Sequence, residues 1–350
     1  MKIKLKNHSI KALSIALPRQ LKSLEEELKE CNLSLKKYEL LSLQSGIRTH
    51  FNAPKQVFAS DLAIKALEGL FELEPLAKRL DMLVLSSFTP DFYCPSLSSL
   101  VAKGLNLNEN VLCFDEISFC AGFLQGLFKA FLALENEDIQ SVVLICVNTK
   151  SKKLSPKDRA LFLSNTDSAS ALLIEKSKIK ETAFYTQQTH SQYALKETLP
   201  CNAFNESFDD FIKVDGDFIF SFVMDKFPHF FEDFLKEAKL KRGELFLQAP
   251  NAFFKKRLLE KMGFEYKDDE LFRNFGDANI NKIPLELALR AENAKLGGGI
   301  ELFSKKDGLE NTNFSLLASF GTGIVFNALA LKINFEKLKS MIKIYDFTKS

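Results

Sequence analysis

Short apolar runs alternate along the chain with segments whose apolar residues recur every three or four positions. The runs DMLVLSS (81–87), VLCFDEIS (111–118) and SVVLICVN (141–148) are too short for most helices and predict buried strands. Between the second and third runs, GFLQGLFKAFLALEN (122–136) has the spacing of an amphipathic helix. This alternation predicts an α/β protein in which helices pack on a sheet.

The second half of the chain repeats this order. It contains a strand-like run, an amphipathic helix with Phe254, Leu258 and Met262 on one face, and two apolar runs that flank a Gly-containing turn. The repeat predicts a duplicated core with halves at 1–178 and 179–350, and because no Gly-, Ser- or Pro-rich linker separates them, we expect one packed unit. The polar stretch 186–216 is a candidate substrate-facing or lid segment.

Composition and charge exclude several classes of protein. A net charge of +2 argues against a protein dominated by contacts to nucleic-acid phosphates. The apolar runs are too short to span a membrane, and lysines interrupt the first 20 residues, so no secretory signal is expected. Six cysteines without a C-x-x-C pair favour reduced thiols and a cytoplasmic location. Four scattered histidines give no metal-site spacing, so neither a metal nor another cofactor is expected.

Cys120 stands where a predicted strand passes into a helix, in ISFCAGFLQG (117–126). The position suits a small buried residue, which is the ordinary interpretation for Cys113 and Cys146 inside strands. It also suits a nucleophile, since the first turn of a helix lowers a thiol's pKa.

Six segments, in chain order, resemble the β-ketoacyl-acyl-carrier-protein synthase III branch of the thiolase superfamily. They are LQSGIRTH (43–50), SDLAIKALEGL (60–70), FTPDFYCPS (88–96), ISFCAGFLQG (117–126), DRALFLSNTDSASALL (158–173) and FGTGIVFNALAL (320–331). The resemblance implies a thiolase fold, with two pseudo-symmetric βα halves in five layers, and a homodimer. Family enzymes load an acyl group on a Cys, condense it with malonyl-acyl-carrier protein with loss of CO2, and use a Cys-His-Asn triad.

The resemblance assigns the triad positions of this chain residue by residue. Cys120 matches the nucleophile. QAPN (248–251) matches the family's H-Q-A-N loop, so Gln248 replaces the histidine while Asn251 is retained as a substrate-binding residue. None of His8, His50, His190 and His229 falls in an equivalent loop.

The third triad position is also changed. GDANINKIPL (276–285) resembles the family's G-N-T-S-A-A-S-x-P-L and places Asp277 at the Asn position, with Asn274 or Asn279 as alternatives. An ionised Asp277 only accepts hydrogen bonds and would repel a developing enolate, while Gln248 can donate one but cannot carry a proton. Malonyl decarboxylation is therefore expected to be impaired.

The resemblance also indicates how substrate is held. The turn at Gly321 and Thr322, with the Cys120 amide, corresponds to the oxyanion hole, and Arg159 to a phosphate contact. The family's CoA-gripping Trp and Arg are Leu40 and Gln44 here, which favours acyl-carrier protein over CoA as the donor.

A basic run on the helix after the Gln248 loop is a candidate docking site for an acidic carrier protein. It contains Lys255, Lys256 and Arg257. The alternative interpretation is the solvated face of an amphipathic helix.

The sequence therefore predicts a synthase-III-like acyltransferase that forms an acyl-thioester on Cys120 and condenses it with malonyl-acyl-carrier protein, in fatty-acid or specialised lipid synthesis. Two alternatives stay open. One is acyl transfer to a hydroxyl or amine with help from Asp277. The other is a catalytically degenerate paralogue that binds acyl-carrier protein.

Overall fold

A computed structural model describes residues 2–19, 24–179, 181–196, 198–199, 211–241, 243–267, 270–295 and 314–347. Its strands are β1 (Lys2–Leu5), β2 (Ser9–Pro18), β3 (Met82–Ser87), β4 (Leu112–Ile117), β5 (Ser141–Asn148), β6 (Ser168–Glu175), β7 (Ala183–Thr189), β8 (Thr198–Leu199), β9 (Lys213–Val214), β10 (Glu244–Leu247), β11 (Ser315–Gly321), β12 (Val325–Leu331) and β13 (Lys339–Tyr345). Its α-helices are α1 (Leu24–Glu30), α2 (Leu35–Ser45), α3 (Ala59–Leu73), α4 (Leu97–Gly104), α5 (Gly122–Leu134), α6 (Arg159–Phe162), α7 (Gly216–Ala238), α8 (Ala252–Lys261), α9 (Glu270–Phe275) and α10 (Lys282–Lys295). The strands predicted at 81–87, 111–118 and 141–148 are confirmed as β3, β4 and β5.

Two large sheets repeat one arrangement of strands. The six-stranded sheet has the order β13-β2-β6-β5-β3-β4, and the five-stranded sheet has the order β1-β7-β12-β11-β10. In the six-stranded sheet β2 pairs antiparallel with β6, β6 pairs antiparallel with β5, and β5 pairs parallel with β3. In the five-stranded sheet β7 pairs antiparallel with β12, β12 pairs antiparallel with β11, and β11 pairs parallel with β10. The predicted duplication of a βα unit is thus visible in strand order and direction.

The helices and sheets form the five layers that the resemblance implies. Helices α5 and α10 lie between the sheets and share one apolar core with both of them. Helices α3 and α4 cover the outer face of the six-stranded sheet, and α7 and α8 cover the outer face of the five-stranded sheet. The α/β thiolase fold is confirmed.

Each end of the described chain crosses to the other sheet. β1 pairs with β7 of the five-stranded sheet, and β13 pairs parallel with β2 of the six-stranded sheet. The expected halves 1–178 and 179–350 therefore each supply most of one sheet and one edge strand of the other.

Part of the polar stretch 186–216 lies within the described residues. β7 extends to Thr189, β8 pairs with β9, and residues 200–210 lie outside the described part of the chain. No helix among the described residues is long and apolar enough to cross a membrane.

Candidate active site

The turn that carries Cys120 is packed tightly between the two halves. Cys120 follows β4 by three residues and precedes α5, whose first residue is Gly122. A Cβ at Gly122 would stand 2.5 Å from the Ser86 Oγ and 2.6 Å from the Ile280 Cδ1. From the other half, Gly321 at the end of β11 comes so close that its Cβ would lie 2.7 Å from the Ala121 amide nitrogen. Glycine at both positions lets the backbones meet around the thiol.

A cavity of about 550 Å³ opens onto this turn. Its apolar wall comes largely from β9, from the start of α7 and from α8, with Val214, Ile219 and Phe254 among the lining side chains. Six of the residues that the sequence predicted for the site line it together: Cys120, Gln248, Asn251, Asp277, Gly321 and Thr322. Polar residues that no motif firmly predicted also line the cavity, among them Lys150 and Asn279.

Asn279 contacts the Cys120 thiol. Its Nδ2 donates a hydrogen bond to the Cys120 Sγ over 3.2 Å. Asn279 has φ 53, in the left-handed region that asparagine tolerates better than most residues, and this conformation is part of the turn before α10. Asp277 was preferred for the third position, with Asn274 and Asn279 as alternatives, and of these three the residue that hydrogen-bonds to the sulfur in the structure is Asn279.

Asp277 instead forms a buried ion pair with Lys150. The Lys150 Nζ lies 3.2 Å from the Asp277 Oδ2, and the side chains are 3% and 4% exposed. The other Asp277 oxygen accepts the Asn279 backbone N–H over 3.0 Å. Backbone hydrogen bonds from Asp277 to Ser164 and from Thr166 to Asp277 hold the loop from both sides. Both carboxylate oxygens therefore have a partner inside the protein.

Lys150 reaches the cavity from a short 3₁₀ turn that follows β5. Its backbone N–H donates to the Asn148 Oδ1 over 3.2 Å, and its ammonium lies 5.5 Å from the centre of the Phe119 ring. The run NTKSKK (148–153) has the composition of a solvated loop, so its residue types did not indicate a buried lysine here.

Gln248 lies at the carboxyl end of β10, as the alignment with the family loop predicted. The residue is 2% exposed, and its backbone N–H donates to the Ala318 carbonyl over 3.0 Å. Its side-chain oxygen is buried and has no hydrogen-bond partner among the described residues. Among those residues no histidine lines the cavity. The position at which the sequence predicted loss of the histidine holds the amide of Gln248.

The environment of Cys120 suppresses its ionisation. Burial, and after it the Asp277 carboxylate, raise the pKa of the thiol to about 12, against the lowering effects of Lys150 and of the Asn279 hydrogen bond. The sequence suggested a lowered pKa at the start of α5, but the net shift is upward because loss of solvent outweighs the groups that favour the thiolate. The thiol is the resting form.

The turn predicted to form the oxyanion hole is free of strain at Thr322. Thr322 is not among the residues with positive φ, so the residue that replaces a family glycine is unstrained, and the adjacent Gly323 takes φ 120. Asn251 lines the cavity and also caps α8, because its Oδ1 accepts the Phe254 N–H over 2.8 Å.

Arg159 borders a neighbouring groove together with Gln44 and Asn251. Its guanidinium donates to the backbone carbonyls of Cys31 and Asn32, over 3.2 Å and 3.4 Å. Part of its donor capacity is thus used to hold the segment after α1.

The basic run on α8 is divided between interior and surface. Lys255 is buried and forms an ion pair with Glu286 on α10, with the Lys255 Nζ 2.7 Å from the Glu286 Oε1. A buried Lys255 cannot present its charge to a carrier protein. The prediction that Lys255 belongs to the docking site is therefore wrong. Lys256 and Arg257 are exposed, and Arg257 lies beside Glu260 and over the Phe253 ring.

Comparison with known proteins finds relatives of one kind. The profile of the family 3-Oxoacyl-[acyl-carrier-protein (ACP)] synthase III matches residues 114–192. The chain is 28% identical over 307 residues to the beta-ketoacyl-[acyl-carrier-protein] synthase III of Streptococcus agalactiae, covering 84% of this chain and 90% of that protein. It is 24% identical over 281 residues to the Coxiella burnetii protein of the same name, covering 79% of this chain and 82% of the relative.

Solved structures show the same fold. The 3-oxoacyl-(acyl-carrier protein) synthase of Burkholderia xenovorans has a TM-score of 0.85 at 19% identity, covering 98% of this chain and 99% of the other. OleA of Xanthomonas campestris has a TM-score of 0.76 at 15% identity, covering 94% and 99%. Together with the motif order and the site at Cys120, these matches show that the chain is similar to 3-oxoacyl-[acyl-carrier-protein] synthase III proteins and has their fold.

Proposed function

We propose that the protein is an acyltransferase of the synthase III type, which forms an acyl-thioester on Cys120 and condenses it with malonyl-acyl-carrier protein in fatty-acid or specialised lipid synthesis. The observation that carries this proposal is the position of Cys120 in a cavity with apolar walls, with the Asn279 amide on its sulfur. An apolar cavity of this size accommodates a thioester arm, and amide donors beside the sulfur are placed to bind its carbonyl.

Two features of the cavity support condensation despite the missing histidine. Gln248 and Asn279 both carry amide N–H donors, which is the capacity that stabilises a thioester enolate. The negative charge of Asp277, which alone would oppose an enolate, is offset by Lys150 at 3.2 Å. The objection to Asp277 that the sequence raised is therefore weaker in the folded protein.

The same ion pair disfavours acyl transfer to a hydroxyl or amine with Asp277 as the base. Both Asp277 oxygens already accept hydrogen bonds, from Lys150 and from the Asn279 backbone. The carrier-binding paralogue is the stronger rival, since the pKa of Cys120 is raised to about 12 and no described histidine lines the cavity.

Intact-protein mass spectrometry after incubation with acyl-CoA and acyl-carrier-protein thioesters tests the proposal, with Cys120→Ser as the control. We expect a mass gain of one acyl group, lost in the variant, and larger with carrier-protein donors. Release of CO2 from malonyl-acyl-carrier protein by the acylated protein supports condensation. An adduct without CO2 release supports transfer to another acceptor, and no adduct with any donor supports the binding paralogue.

We further propose that the protein is a cytoplasmic homodimer that pairs through β4. This strand is an edge of the six-stranded sheet, and Leu112, Phe114 and Ile117 on it are 47%, 52% and 83% exposed. An exposed apolar edge strand is an unstable surface for a monomer. Light scattering of the wild type and of Phe114→Asp tests this, and a wild-type monomer would contradict it.

The cytoplasmic location is supported by the five described cysteines, all of which are free thiols; Cys201 lies outside the described residues.

A further inference from the structure

Lys150 is a buried cation at the site to which the family resemblance assigns no role, and its effect on the Cys120 thiol goes beyond the proposed function. Its side chain is 3% exposed and lines the same cavity as Cys120. Burying a lysine is unfavourable unless a partner compensates its charge. Even then, a buried ion pair such as Lys150–Asp277 seldom contributes more to stability than apolar side chains of the same volume. A role at the thiol explains why a charged pair occupies the cavity wall.

The arrangement links both charges to the sulfur. Among the described residues the charged groups that act on Cys120 are Asp277, which opposes the thiolate, and Lys150, which favours it. Asp277 is held toward the site because its second oxygen accepts the N–H of Asn279, whose side chain contacts the sulfur. Without Lys150, the carboxylate would act on the sulfur unopposed in a poorly solvated cavity.

We infer that Lys150 is a positioning residue that neutralises Asp277 beside Cys120 and thereby allows the thiolate to form when a thioester donor arrives. The inference rests on the proposed function, in which Cys120 is the nucleophile. In that step the Cys120 sulfur bonds to the acyl carbon, the bond from that carbon to the donor sulfur breaks, and the Cys120 proton ends on the departing thiolate. Lys150 keeps its proton throughout, so no external base or oxidant is needed.

The rate at which iodoacetamide alkylates Cys120 tests this without any acyl donor, because the reagent reacts with the thiolate. The rate is followed by peptide mass spectrometry on the full chain between pH 6.5 and 10.5. We expect Lys150→Met to slow alkylation by about tenfold or more at a given pH, equivalent to a rise of one pKa unit or more. Asp277→Asn should accelerate it by a similar factor, and the double variant should fall close to the wild type.

Opposite signs for the two single variants separate an electrostatic role from a structural one. A variant that only loosens the fold would expose the thiol and accelerate alkylation in both cases. Lys152→Met is the matched control, since its amine contacts the carbonyls of Pro54 and Lys55 and it does not line the cavity, and it should leave the rate unchanged. Equal rates in the wild type and Lys150→Met, or acceleration in both single variants, would overturn the inference.

Failure of this inference is distinguishable from failure of the proposed function. If no donor acylates the wild type but the alkylation rates separate as expected, the proposed function fails and the role of Lys150 stands. If acylation proceeds and the alkylation rates do not separate, the reverse holds.

Discussion

Two buried lysine–carboxylate pairs in the described part of the chain have nearly the same composition but different neighbours. Lys150–Asp277 joins the two halves of the chain at the wall of the cavity, with side chains 3% and 4% exposed. Lys255–Glu286 joins α8 to α10, with side chains 6% and 1% exposed, and the Lys255 ammonium lies 5.9 Å from the centre of the Phe272 ring. Neither residue of the second pair lines the cavity.

The contrast separates two uses of a buried charge. A buried pair anywhere in a fold makes each partner costly to remove, because the remaining charge is left without compensation. Only a pair within electrostatic reach of a reactive group also changes that group's chemistry. Lys255–Glu286 should therefore affect stability alone, and Lys150–Asp277 both stability and thiol reactivity.

The pH dependence of Cys120 alkylation gives the largest expected effect. Because the pKa of the thiol is raised to about 12, the thiolate fraction should rise tenfold per pH unit, or about ten-thousandfold from pH 6.5 to 10.5. Lys255→Met should show the same profile as the wild type. A plateau near pH 9, as for a free thiol, would show that the site does not suppress ionisation.

Removal of one partner of the pair between helices should give the next largest effect. Lys255→Met removes the ammonium that lies 2.7 Å from the buried Glu286 Oε1, and we expect the free energy of unfolding to fall by about 3–5 kcal/mol. Chemical denaturation measures the change. Lys256→Met, the adjacent exposed lysine, is the matched control and should stay within about 0.5 kcal/mol of the wild type.

Replacing both partners should restore most of that stability. Lys255→Met combined with Glu286→Leu removes both charges and fills the space with apolar groups, so we expect unfolding within about 1–2 kcal/mol of the wild type. A double variant as unstable as Lys255→Met would mean that the pair contributes through packing against Phe272 and not through charge compensation.

The exposed part of the basic run should give the smallest effect. Charge reversal in Lys256→Glu with Arg257→Glu should lower the rate of acylation by an acidic carrier-protein donor by about three- to tenfold, since exposed charges act mainly on association. Acylation by the matching acyl-CoA serves as the control. An equal loss with both donors would place these residues outside carrier docking.

Much of the fold was predictable from the sequence because strand runs and helical spacing agree with the tertiary structure. β5 and α5 were predicted almost to the residue, since their apolar patterns are uninterrupted. The exchange of β1 and β13 between sheets was not, because an edge strand such as Lys339–Tyr345 has a mixed pattern and nothing local specifies which sheet it joins.

The site was predictable only where a motif fixed the register. Cys120 and Gln248 follow strands at defined spacings, and both line the cavity. The choice between Asp277 and Asn279 depended on backbone conformation, and the left-handed turn at Asn279 decides it. An asparagine two residues after Asp277, in a loop opened by glycine, was the available signal.

Buried lysines were the residues that the sequence could not reveal. In the sequence, Lys150 lies among polar residues. Its partner in the buried ion pair, Asp277, comes from the far half of the chain. Lys255 flanks Phe254 and precedes Leu259 by four positions, so the buried face of α8 is wider than its most apolar stripe suggests. In both cases the partner carboxylate, distant in sequence, decides the outcome.

The pairing of β13 with β2 has a consequence for the order in which the two sheets are completed during synthesis. The six-stranded sheet gains this strand only after the whole of the five-stranded sheet has been synthesised, since β13 follows β12 in the chain. Until then the backbone of β2 presents an unpaired edge. β1 likewise has no partner until about 180 further residues, including β7, have been synthesised. Neither half can complete its sheet on the ribosome by itself, and a nascent chain halted between β12 and β13 would be a substrate for strand pairing with other chains.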